Sequence, residues 1–261
     1  ENDNIVHLGF PTINIAVVVG SFFGWLMMQF IIMPRVSSSL LFPKSYLALS
    51  KKKRVIWNNY VISTIHSVFT AGPAIYLLLT DAAYDDWNMD FGDYKTSIVY
   101  NISSGYFICD TLVMALYPEI FNIPIFFHHV FVLTAQYSVV SYWKWFIIGT
   151  SSMLTELTTP FINNRWLLAN GGGKDHWLYI VNGVCIWLSW VAFRISYIFL
   201  MGYIYYINWD YLVSGPTFFL YYWIFIYFSI TGLNLLWFKK ITMGLLSAMS
   251  GKKKENKKKS Q

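Results

Sequence analysis

Charge is what this chain has least of. Only 12% of its 261 residues are Asp, Glu, Lys or Arg, against roughly a quarter in an ordinary soluble domain. The charges also fall in clusters and leave apolar runs of about 20 residues between them. That scarcity excludes a soluble globular domain. A chain 56% hydrophobic and 20% aromatic reads as a polytopic membrane protein. The formal net charge of +6 does not make it a nucleic-acid binder: its basic residues sit in loops and a tail between apolar segments, a pattern that orients a protein in a bilayer.

Cysteine is equally scarce. Cys109 and Cys185 both lie within apolar segments, without a Cys-x-x-Cys or Cys/His spacing. They read as small apolar side chains and not as a disulfide or metal site. The opening residues Glu1-Asn2-Asp3-Asn4 have no basic n-region, and no small-residue cleavage site precedes the first apolar run. No cleavable signal peptide is expected.

What is present predicts an all-α membrane bundle of about seven spanning helices, each needing about 20 residues. They fall near 10–33, 56–80, 96–117, 122–142, 145–168, 177–207 and 214–238. The fifth is the most polar, reading SSMLTELTTP, with Pro160 interrupting it; the sixth is long enough to tilt. Loop charges then set the expected topology. The first loop carries Arg35, Lys44, Lys51, Lys52, Lys53 and Arg54, whereas the next carries Asp81, Asp85, Asp86, Asp90 and Asp93 against Lys95 alone. With the basic loops in the cytosol, only Lys95 and Lys144 of the 19 basic residues fall on the opposite side, and Arg194 lies within the sixth span. The N-terminus is therefore expected in the lumen and the C-terminus in the cytosol. The chain divides into a lumenal N-terminus, first span and basic loop (1–54), a six-span domain (55–240) and a basic cytosolic tail (241–261).

The tail, GKKKENKKKSQ, is too polar to fold alone and suits anionic headgroups. Its last four residues, KKSQ, match the dilysine pattern that returns membrane proteins to the endoplasmic reticulum through cytosolic coat proteins, a pattern that a lysine-rich tail also meets by chance. The formal glycosylation sequon Asn101-Ile102-Ser103 lies inside the third span and is discounted.

Ionisable groups inside apolar spans are costly, and here they gather in 107–142, which holds Asp110, His128 and His129. Helical periodicity gives each of four spans one polar stripe. The second span has Ser63, His66, Ser67 and Thr70, and the third has Ser103, Tyr106 and Asp110. On the fourth, His129 and Gln136 share a face, while His128 starts another that continues through Val132, Ala135 and Val139. The fifth has Ser152, Glu156, Thr159 and Asn163. Four stripes imply a shared polar interior, because lipid would leave these groups unpaired. At 1.5 Å per residue, Asp110 and both histidines lie ~10 Å from the cytosolic end.

Each residue also has a structural reading. His66 can bond between helices, Asp110 can hold a histidine tautomer, Glu156 can pair with Arg165, and Arg194 can pair or snorkel. Gly72-Pro73 and Pro160 read as kinks. Metal fits poorly, because His128 and His129 point about 100° apart and lack an H-x-x-x-H or H-x-x-H-H spacing. No serine has the context of a hydrolase triad. A histidine polarised by a carboxylate is the simpler chemistry.

In order along the chain, WNNYVISTIHSVFT, GYFICD, FFHHVFVLTAQYS and LTELTTPFINNRWLL resemble segments of the TLC domain family, over roughly 55–240. That family includes the ceramide synthases and the TRAM proteins. ELTTPFINNRW looks most like the TLC domain-containing protein 4 subgroup. The resemblance implies that helices two to seven surround a central cavity opening to the cytosolic side. By analogy with ceramide synthases, it implies acyl transfer at His128 and His129 with Asp110 orienting, acyl-CoA as substrate and no resident cofactor. This chain lacks the paired aspartates that follow the histidines in those enzymes and offers Glu156 in their region. The leading expectation is lipid homeostasis in the endoplasmic reticulum membrane, with a lipid or acyl group bound by His66, Gln136, Glu156 and Asn163 beside the histidines. The alternatives are an acyl-CoA-dependent N-acyltransferase, and a cargo receptor or chaperone whose interior histidines are structural.

Overall fold

A computed structural model describes residues 14–40 and 43–249. His7, the start of the first expected span and the lysine-rich tail with its KKSQ end lie outside them.

Among the described residues, six helices are long and apolar enough to cross a membrane. In chain order the long helices are α1 (Ile15–Ser39), α2 (Lys51–Thr80), α3 (Tyr94–Leu116), α4 (Ile123–Tyr142), α5 (146–170), α6 (Trp177–Ile207) and α7 (Thr217–Met249). The chain is thus an all-α membrane bundle. The segment outside the six is α5, which is built from Phe146–Met153, a 3₁₀ turn at Leu154–Thr158, and Thr159–Asn170. Pro160 explains the break. It has no N–H to give the Glu156 carbonyl, which takes the Thr159 N–H in a tighter turn instead.

Side chains cap the starts of most of these helices, with α2 beginning five residues before the expected 56. Asn14, Ser50, Asp93, Asn122 and His176 each accept a backbone N–H in the first turn of α1, α2, α3, α4 and α6. Helix α2 continues through Pro73, and α7 runs well past the expected end near residue 238.

Helices α2 to α7 pack as a ring in the spatial order α2–α3–α4–α7–α6–α5, and α5 closes back onto α2. Helix α1 stands outside, mainly against α3. Gly105 permits that contact: a Cβ there would meet Phe22 N, Ser21 Cβ and Val18 O at 2.7 Å. The Ser21 hydroxyl donates to the Ile102 carbonyl at 2.7 Å across the same seam.

The two ends of the bundle differ. At the end carrying the five aspartates, residues 81–93 fold back as a cap. Met89, fully buried, is held by both of its backbone polar groups: Met89 N donates to the Asn208 side-chain Oδ1 (3.1 Å), and Trp145 N donates to Met89 O (2.7 Å). Trp87, Trp143 and Trp145 hold left-handed backbone angles, with φ of 52°, 55° and 63°. Such angles strain bulky residues and persist only where packing fixes them. Asp90 pairs with Lys144 at 2.8 Å and accepts from the Tyr211 hydroxyl at 3.2 Å. Tyr84 of the cap and, beneath it, Phe146, Ile147, Ile204 and Trp223 belong to the main apolar core. Asn101, of the formal sequon, is 4% exposed and donates to Ser97 O at 2.9 Å, so it is packed inside the bundle.

Candidate functional site

The ring encloses two cavities. The larger, about 570 Å³, is a vestibule reaching the basic end, where Ile56, Glu119, Phe121, Arg165 and Lys240 form part of its wall. The smaller, about 110 Å³, lies deeper and is lined mainly by apolar groups such as Val132, Ala135, Met201, Trp223, Ile226 and Ile230. Four residues line both: Phe107, His128, Glu156 and Arg194. They form a waist between a more polar chamber and a more apolar one.

The two adjacent histidines have separate environments, as their offset around a helix requires. His129, 4% exposed, is fixed at both nitrogens: Nδ1 lies 3.0 Å from the Thr111 hydroxyl and Nε2 lies 3.4 Å from Asp110 Oδ2. Asn59 Nδ2 donates to the other Asp110 oxygen at 2.8 Å. The result is a relay from Asn59 on α2 through Asp110 on α3 to His129 on α4. His128 has no hydrogen-bond partner among the described residues. It meets Trp237 and Phe107 edge-on, with ring centroids at 6.1 and 6.2 Å, and faces both cavities.

The remaining expected residues divide between the cavities and the seams. His66, 1% exposed, stacks on Tyr106 with ring centroids 3.7 Å apart, and its Nε2 lies 3.0 Å from Ser103 Oγ. Ser103 also accepts from Gln136 Nε2 at 3.1 Å, and Ser104 donates to Gln136 Oε1 at 2.8 Å. His66 and Gln136 therefore tie α2, α3 and α4 together at the wall of the apolar chamber. Asn163 latches α5 to α2 by donating to Tyr60 O (3.0 Å) and Thr64 Oγ1 (3.1 Å). Ser67 and Thr70 do not reach across at all, since their hydroxyls return to carbonyls of their own helix.

Glu156 sits in the 3₁₀ turn of α5 and accepts from the Thr159 hydroxyl at 2.8 Å. It makes no ion pair with Arg165, whose guanidinium lies 4.2 Å from the centre of the Tyr179 ring. Arg194 does not snorkel. It is 6% exposed, donates from Nε to Thr158 Oγ1 (2.8 Å) and from Nη1 to Asn234 Oδ1 (3.2 Å), and lies 4.6 Å from the centre of the Trp190 ring. Asn59, Thr111, Thr158 and Asn234 escaped the sequence reading. Asn59 lies on a face of α2 adjoining the Ser63–His66 stripe, which was the one available signal.

Among the described residues, no group of three or more His, Cys, Asp or Glu side chains is placed to hold a metal ion. What the arrangement provides is a buried, oriented histidine, a second histidine open to a cavity, and a polar-to-apolar boundary beside it.

A multi-pass helical bundle with polar residues gathered in its interior defines the class. The family follows from comparison: the profile described as TLC domain matches residues 56–243, and the chain belongs to that family. It is similar to TLC domain-containing protein 4 of Homo sapiens, 29% identical over 218 residues that cover 82% of each chain. It is similar also to TLC domain-containing protein 4-B of Danio rerio, 27% identical over 256 residues and 92% of each chain. TLC domain-containing protein 4 A of Dictyostelium discoideum is 27% identical over 206 residues, covering 77% of this chain and 79% of that one. No solved structure matches at a significant level.

Proposed function

We propose that this TLC domain protein acts in lipid homeostasis in the endoplasmic reticulum membrane, holding a lipid or acyl group across the waist of its bundle. The observation that carries the reading is the position of His128, without a hydrogen-bond partner among the described residues, where the more polar vestibule meets the apolar chamber. An amphiphile needs such a boundary, with its apolar part out of water and its polar part near oriented groups. In this reading the basic end faces the cytosol and the acidic cap the lumen, in keeping with the loop charges.

A second reading, acyl-CoA-dependent N-acyl transfer, is favoured by the relay Asn59–Asp110–His129 beside the open His128. Here a His128 ring nitrogen attacks the thioester carbonyl. The C–S bond breaks and the thiolate leaves with the imidazole proton. A lipid amine then takes the acyl group, and its proton returns to the imidazole. Arg165 and Lys240, on the vestibule wall, suit the phosphates of such a substrate.

Purification of the full chain in detergent, followed by mass spectrometry, tests both readings. Co-purifying lipid that is lost on bulky substitution in the apolar chamber (Ala135→Trp) supports the first, and an interior with no bound lipid sinks it. An acyl mass increment on the peptide containing His128, absent in His128→Ala, supports the second. Turnover unchanged in His128→Ala removes that histidine from the chemistry.

A further inference from the structure

Arg194 is the only buried Lys or Arg among the described residues, and the acidic group that attracts it, Glu156 on the same waist, stands beyond ion-pair distance. No carboxylate lies within 4.0 Å of it among the described residues; the ion pairs there involve Glu119, Asp81, Asp110 and Asp90 instead. Its two hydrogen-bond acceptors, the Thr158 hydroxyl and the Asn234 amide oxygen, are neutral. Glu156 lines the same waist but receives the Thr159 hydroxyl. A buried charge with no counter-charge in contact is costly, so such a residue usually has a partner or a role.

The surroundings of Arg194 form a built site. Asn234 is 2% exposed and Thr158 fully buried, and the Trp190 indole under the guanidinium donates to Asn234 O at 3.2 Å. The guanidinium is thus held in one orientation, and it carries more N–H donors than the two in use. It also sits where the backbone departs from the α-helix. Helix α6 is π-helical over Trp190–Ile195 and packs there against the 3₁₀ turn Leu154–Thr158 of α5. Isolated π segments inside helices frequently mark functional sites.

We propose that Arg194 is an anion receptor and that its ligand is the carboxylate of an unesterified fatty acid, with the chain in the apolar chamber. This rests on the reading of the interior as a lipid site. The planar fork of the guanidinium matches a carboxylate bidentately. The chamber that begins at Arg194 is lined mainly by apolar groups, among them Met201, Ile226 and Ile230, which suits a hydrocarbon chain. Glu156, on the same waist, repels the anion and limits its affinity, so the ligand is held but also released.

The test uses the full chain in phosphatidylcholine nanodiscs with tritiated oleic acid and tritiated oleyl alcohol as probes. The wild type binds the acid about tenfold or more tightly than the alcohol. Arg194→Gln keeps polar atoms near Thr158 and Asn234; it brings the acid down to the alcohol's affinity and leaves the alcohol unchanged. Equal binding of acid and alcohol by the wild type, or an acid affinity unmoved by Arg194→Gln, overturns the receptor while the lipid site stands. Binding of neither probe overturns both. Displacement of the acid by millimolar inorganic phosphate assigns the site to small oxyanions and overturns the fatty-acid assignment. Glu156→Gln, which leaves the guanidinium scaffold intact, covers the case in which Arg194→Gln fails to fold: it tightens the acid several-fold, and an unchanged or weakened affinity overturns the proposal.

Discussion

The Asp110 carboxylate serves His129 and not His128: Oδ2 lies 3.4 Å from His129 Nε2, while its other oxygen is held by Asn59. Two histidines adjacent in sequence are thereby separated into a fixed one and an open one, and they should respond differently to substitution.

His129→Ala removes the partner of Asp110 Oδ2 and one of the two contacts of the Thr111 hydroxyl, leaving Asp110 with Asn59 and Thr111 with the Phe107 carbonyl in a nearly buried position. A loss of about 1–3 kcal/mol in unfolding free energy is expected. His128→Ala breaks no hydrogen bond and should cost clearly less than His129→Ala. Denaturant titration of both variants in the same detergent checks the order, and equal losses would remove the distinction.

Asn163 latches α5 to α2 through two acceptors on α2. Asn163→Leu should lower stability by about 0.5–2 kcal/mol, the usual range for hydrogen bonds between membrane helices. Because Asn163 joins helices and does not sit at the waist, lipid retention per folded molecule should stay at the wild-type level. Thermal unfolding read beside lipid mass spectrometry separates the two effects.

At Gly105 any side chain meets the backbone of α1. Gly105→Val should loosen α1 from α3 at a cost of about 1–3 kcal/mol, the range for overpacking a tight contact. Hydrogen exchange of residues 15–25 reports it. Faster exchange in α1, with α4 and α6 unchanged, is the expected outcome.

The cap offers a pH test. The Lys144 ammonium bonded to Asp90 holds that carboxyl below its ordinary value of 3.8. A depressed folded-state value means stability that is present above about pH 4 and lost as the pH falls through the lower folded value. The groups are partly exposed, with side chains 43% and 51% accessible, so the effect should stay below about 1 kcal/mol. Asp90→Asn should therefore unfold earlier than wild type at pH 7, and the gap should shrink near pH 3. A gap independent of pH would show that the carboxyl is not its source.

Much of the interior was legible from spacing alone. A period of 3.6 residues fixes the angular position of each side chain, which is why Asp110, His129 and Gln136 fall on facing surfaces of α3 and α4. Spacing says nothing of vertical register between helices. It could not show that Asn59 reaches Asp110, that Thr111 takes His129 Nδ1, or that Ser67 and Thr70 turn back to their own carbonyls. Arg194 was placed on its helix, but its neighbours Thr158 and Asn234 come from segments 36 and 40 residues away. Pro160 marks the fifth span as interrupted, yet the 3₁₀ turn that presents Glu156 depends on where the missing N–H falls. The cap left only a run of aspartates in the sequence, because the left-handed tryptophans that shape it are fixed by tertiary packing.

That cap has a directional consequence. With Met89, Asn208 and Trp145 knitting one end shut, the bundle is a cup and not a conduit. Traffic through it from one face of a membrane to the other would require the whole seal to come apart. Under the proposed lipid reading, a ligand that enters by the vestibule leaves by the same door or slips out sideways between helices, and such a vessel is suited to exchange with one leaflet and one compartment.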